Sequence, residues 1–154
     1  MNSEERNRLA EAILAKRTKE DEARYKQYTD RIFIAGNQEM FFKFACSKLE
    51  EDMGDIDKKT GRSTIIETDK DPARIVTMDG CWELHLDISE SSVTFSKADG
   101  GSPKKCVFRF EVRENPRRLV LVAGDDGSGS ATEHDGPEAF SDFVLLSVLQ
   151  HGWG

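Results

Sequence analysis

Between Cys81 and Ala123 the chain alternates apolar and polar residues in repeated short runs. Trp82, Leu84, Leu86 and Ile88 share one parity, while Cys81, Glu83, His85 and Asp87 share the other. Val93 and Phe95 stand against Thr94 and Ser96, and Phe108, Phe110 and Val112 stand against Arg109, Glu111 and Arg113. Successive side chains of a strand point to opposite faces, so a period of two predicts a half-buried antiparallel sheet. One face is apolar and the other carries most of the side chains capable of chemistry. Strands are expected over residues 63–68, 74–78, 81–88, 92–97, 106–114 and 119–123. Asp79-Gly80, Asp99-Gly100-Gly101 and Asn115-Pro116 supply turn residues between them, and a meander is the economical topology.

Ahead of the sheet the period is helical. Asn2 and Glu5 have capping-box spacing, and Leu9, Ile13 and Leu14 follow at helical intervals, predicting a helix over residues 3–28. Its middle, residues 16–22, holds only charged residues and Thr18, so that stretch is solvated whatever surrounds it. Ile32, Phe33 and Ile34 form a short apolar stretch that reads as the tail of this helix or a tight connection, with a strand as the alternative. Gly36-Asn37 then opens a second helix, with Asn37 as cap and Phe41, Phe44, Ala45, Leu49 and Met53 as a core stripe. The acidic, Gly-containing residues 50–61 end it. Gly and Ser dominate the middle of residues 124–136, which read as a mobile loop. Pro137 suits a first helical position, and Phe140, Phe143, Val144, Leu146 and Leu149 form a broad apolar face behind it.

The expected fold is therefore α+β: an antiparallel sheet of five or six strands, with two N-terminal helices and one C-terminal helix packed on its apolar face. A single domain over residues 1–154 comprises a charged arm at 1–28, a core helix at 37–53, the sheet at 62–123, a flexible loop at 124–136 and a terminal helix at 137–150. Such a length is sufficient for one real core.

Charge narrows the function. A net charge of −7 disfavours a nucleic-acid binder, because phosphate contact needs a concentrated basic surface. Residues 1–31 hold 8 Lys and Arg against 7 Asp and Glu, so the arm is nearly neutral and the body carries the acidity. An acidic body favours basic partners. No apolar run approaches the roughly 20 residues that span a bilayer, and the start has neither the basic nor the apolar region of a signal peptide, so no membrane association and a cytoplasmic location are expected. Cys46, Cys81 and Cys106 are far apart and in no CxxC pair, which supports neither a disulfide framework nor a zinc site.

Candidate chemistry sits on the polar face. Cys81, His85 and Asp87 contain the residue types of a nucleophilic triad, yet at about 3.4 Å per residue Cys81 and His85 are roughly 13 Å apart on a regular strand. Glu83 and His85 can meet, and a neighbouring strand can add Arg109 or Glu111. With Asp87 and Arg113 these six form the candidate binding set, which ordinary cross-strand ion pairing explains equally well. Asp55, Asp57 and Gly61 miss the register of a calcium loop, and the acidic residues of 125–135 lack a spacing that fixes them. The Gly124–Gly129 stretch has no following Lys and two carboxylates, which rules out a phosphate loop. Lys104/Lys105 and Arg117/Arg118 could gather at one sheet edge and dock an acidic partner, or simply blunt the hairpins. No metal and no cofactor are expected.

Two functions fit. The first is a non-enzymatic cytosolic interaction protein, an inhibitor, immunity-type protein or adaptor, meeting a basic protein partner through its acidic surface or polar sheet face. The second is a small-ligand-binding domain or weak hydrolase with a pocket between a curved sheet and the helices. They diverge on whether the polar face is open or roofed. The apolar residues of the arm further predict a homodimer through the N-terminal helix.

Overall fold

The computed structural model describes residues 1–98, 104–123 and 132–150. The chain divides into two compact units, Met1–Phe33 and Ile34–Gly154. Helix α1, Ser3–Thr60, begins in the first and ends in the second. It is followed by strands β1 (Ile65–Glu67), β2 (Ala73–Thr77), β3 (Gly80–Asp87), β4 (Ser92–Lys97), β5 (Lys104–Arg113), β6 (Arg118–Ala123) and β7 (Glu133–His134), and by helix α2 (Pro137–Leu149). The fold is α+β. All seven strands lie in one antiparallel sheet in chain order, a meander.

The two expected N-terminal helices are one. Gly36 is the only glycine between them, and a Gly inside a helix costs only about 1 kcal/mol relative to Ala, too little by itself to stop a helix where no proline intervenes. Asn37 consequently lies inside α1 and not at its start. Nor do the acidic residues after Met53 end the helix, because Lys48–Asp52 at 3.3 Å and Asp55–Lys59 at 2.9 Å bridge successive turns. Gly61, at φ +71, stops it, since only glycine takes that backbone conformation at low cost. Asp57 then accepts hydrogen bonds from the Thr64 amide at 2.9 Å and its hydroxyl at 3.0 Å, setting the exit toward β1. The N-terminus matches the capping box: the Glu5 amide donates to Asn2 Oδ1 at 2.9 Å and the Asn2 amide to Glu5 Oε2 at 3.2 Å.

The sheet has a sharply divided character. Ile75, Trp82, Leu84, Val93, Phe95, Phe108, Phe110 and Leu121 are buried on its inner face. Against them lie Phe41, Ala45, Leu49 and Met53 of α1 and Phe140, Val144 and Val148 of α2. Edge-on aromatic contacts join the layers: Phe41 to Phe110 at 5.2 Å, Phe140 to Phe108 at 5.2 Å and Phe143 to Phe95 at 6.2 Å. Phe44 and Leu146, expected in the core, are exposed because they fall off the buried faces of their helices.

The strand count exceeds the expected five or six because β7 lies within the segment read as a loop. Most of that segment, residues 124–131, and the Asp99-Gly100-Gly101 turn lie outside the described residues. The Asp79-Gly80 turn is a two-residue connection, Met78-Asp79, between paired Thr77 and Gly80.

Candidate functional site

The outer face of the sheet carries Glu83, His85, Asp87, Arg109, Glu111 and Arg113, all on one parity as the alternation requires. They do not converge. Strand β4 lies between β3 and β5, so Arg109 and Glu111 are not on a strand adjacent to Glu83 and His85. Asp87 pairs with Ser92 and Ser92 with Arg109, placing Asp87 and Arg109 about 10 Å apart across two strand spacings. Glu83 lies four residues further along, roughly 17 Å from Arg109.

Each carboxylate has its own local role. Glu83 pairs with Arg74 of β2 at 3.6 Å. Asp87 closes the β3–β4 hairpin, accepting the Ser89 hydroxyl at 2.7 Å and the Glu90 amide at 3.1 Å, and these hydrogen bonds, the hydroxyl first, hold its carboxyl below the usual carboxylate range. The guanidinium of Arg113 donates to Glu111 on its own strand at 2.9 Å and to Glu133 of β7 at 2.8 Å. Strand β6 runs between β5 and β7, so this bridge crosses over it, above Val120, which is fully buried although it lies on the outer face. Arg118 extends the network by a two-pronged contact with Asp135 at 2.8 and 2.9 Å, whose hydrogen bonds depress the Asp135 carboxyl and raise the Arg118 guanidinium.

His85 departs from the expected contact with Glu83. Its Nδ1 lies 2.6 Å from Asp71 Oδ1 in the segment before β2. Cys81 pairs with Val76, and consecutive pairing from Trp82 to Asp87 leaves β3 unbulged, so the roughly 13 Å between Cys81 and His85 stands and no triad forms. Arg109 is exposed, and no ion-pair partner engages it among the described residues. Beside it on β5 is Val107, 38% exposed. Thr94, across from Val107, and His85, across from Thr94, complete a small mixed patch in mid-sheet.

Asp71 falls between two expected strands and Glu133 and Asp135 within the expected loop, so nothing in the alternation places them beside the sheet's polar face. For Glu133 and Asp135 the signal was charge: they are the acidic residues next in the chain after Arg113 and Arg118, with which they pair. The two basic pairs do not gather. Lys104 and Lys105 begin β5, whereas Arg117 and Arg118 follow its far end, where Arg117 pairs with Glu114. Among the described residues no group of His, Cys, Asp and Glu is placed to hold a metal ion, and no helix is long and apolar enough to cross a membrane. Asp55 sits on the helix paired with Lys59. A shallow open hollow lined by Gly61, Arg62, Ser63, Met78 and Asp79 lies apart from the six residues. The packed helices meet the inner face, leaving Glu83, His85, Arg109 and Glu111 at least partly open to solvent.

No family model, curated protein or solved structure matches this chain.

Proposed function

We propose that this protein is a non-enzymatic cytosolic interaction protein, an inhibitor, immunity-type protein or adaptor, that meets a basic protein partner through the outer face of its sheet. The observation carrying the reading is the open mid-sheet patch. Exposed Arg109 and partly exposed Val107 sit among carboxylates already tied to neighbouring cations. Interfaces concentrate binding energy in Trp, Tyr and Arg near the centre of the patch, ringed by a rim of contacts that exclude water, and Arg109 is the residue of that class here. Glu83, Asp71 and Glu111 would form that rim, and the net charge of −7 would steer a basic partner toward it. Cys81 stands roughly 13 Å from His85 along β3, so a Cys–His dyad gives the hydrolytic reading no support.

The second reading, a ligand pocket between sheet and helices, gains no support, because its polar residues face away from the helices. Self-association through the N-terminal helix belongs to the same proposal, since a helix without an apolar partner gains little from propensity alone.

Capture from native lysate tests the interaction. Wild-type bait and a Glu39→Lys control, altered on the exposed side of α1, should retain one stoichiometric partner. Glu83→Lys/Glu111→Lys, which reverses the sign of the rim, should retain at least tenfold less, equivalent to about 1.4 kcal/mol. Equal capture by all three baits would remove the outer face from the account.

A further inference from the structure

We infer that the N-terminal part of α1 pairs with the same segment of a second copy in an antiparallel arrangement centred between Lys19 and Glu20. The inference rests on the self-association proposed above and adds its geometry. Every residue from Met1 to Tyr28 is exposed, although the segment is helical. The large apolar residues lie toward its two ends: Leu9, Ile13 and Leu14 before the charged middle, and Tyr25, Tyr28 and Ile32 after it, all exposed. At 100° per residue these six fall within one side of the helix, a sector of roughly 160°. Leu14 and Tyr25 are equidistant from the Lys19–Glu20 midpoint, so reversing a second copy about that point brings Leu14 level with Tyr25 and lays the first apolar stretch along the second.

The charges point the same way. Lys16, Arg17 and Lys19 form a basic block that Glu20, Asp21 and Glu22 follow at once as an acidic block of equal size. No ion pair engages any of the six within the described structure, whereas Lys26 and Asp30 on the same helix are paired at 3.2 Å. A parallel, in-register copy sets basic block against basic block and acidic against acidic. Arg17, Glu20 and Asp21 share the apolar side, and an antiparallel copy brings Asp21 within one residue's rise of Arg17, with the reciprocal pair following from the two-fold axis. Like charges brought together are destabilising and opposite ones stabilising, so orientation is where these residues act. The near balance of charge over residues 1–31 also argues for self-complementarity over an oppositely charged foreign strip.

The test uses the full chain at tens of micromolar. Light scattering should give a dimer for wild type. It should give a monomer for Lys16→Glu/Arg17→Glu/Lys19→Glu and for Glu20→Lys/Asp21→Lys/Glu22→Lys, with dimer mass restored when the two are mixed. Spin labels at Arg8→Cys, with Cys81 and Cys106 replaced by Ser and Ala and buried Cys46 retained, then report orientation. An antiparallel pair separates the labels by 23 residues of helical rise, roughly 35 Å. A parallel pair, with axes 8–10 Å apart, brings them within about 20 Å. A short distance would overturn the antiparallel geometry while leaving self-association intact. Dimer mass unchanged in both block variants would overturn the charge argument, and a monomeric wild type would overturn the geometry and the self-association together.

Discussion

His134 is a buried imidazole packed against Phe108, Phe140 and Phe143, and its Nε2 has no hydrogen-bond partner among the described residues. Burial pushes its pKa below the ordinary value. Below pH about 6.5 the unfolded chain therefore binds more protons at this position than the folded one, so stability is complete above that pH and falls as the solution is acidified through it. Urea melts at pH 7.5 and 5.5 should show a smaller acid loss for His134→Phe than for wild type, with the variant equal or up to about 1 kcal/mol more stable at pH 7.5, because an orphaned buried nitrogen is removed. Equal losses in the two proteins would mean that His134 is solvated. At this scale the sequence was partly legible. Asn2 and Glu5 stand three residues apart, and that spacing alone specifies their reciprocal hydrogen bonds. Nothing local to Glu133-His134-Asp135 announces that the middle residue turns inward, since this follows from its pairing with Leu121 on β6.

Among the elements, α1 shows how propensity and continuity compete. Gly36 and Gly61 look alike in the sequence, yet one lies within the helix and the other ends it. A Cβ at Gly36 would meet nothing within 4 Å, and its φ is ordinary for a helix. Gly36→Ala should accordingly stabilise by about 0.5–1 kcal/mol. Gly61→Ala should destabilise by about 1 kcal/mol, because φ +71 is strained for any side chain. Denaturant melts of the pair decide the matter, and a destabilising Gly36→Ala would restore two separate helices. The expected runs matched β1 to β6, of which the longer ones have enough alternation to fix their parity. The two-residue β7 has too little.

Across the whole molecule, the polar face was predictable as a set of residues sharing one parity and unpredictable as a cluster. Parity placed Glu83, His85, Arg109 and Glu111 together on one side, but strand order decides distance, and β4 separates the two groups. What alternation could not reveal is that Glu133 and Asp135 pair with Arg113 and Arg118 and that Asp71 lies against His85, while Arg109 and Val107 stay exposed between them. In the proposed binding role, the net charge of −7 steers a basic partner toward this face. The most direct test of this account is carbodiimide cross-linking of the protein with its captured partner, which joins partner lysines to carboxylates in contact. The account predicts links at Asp71, Glu83 and Glu111 on the outer face. Links confined to Glu39, Glu138 and Asp142 on the helices would contradict it.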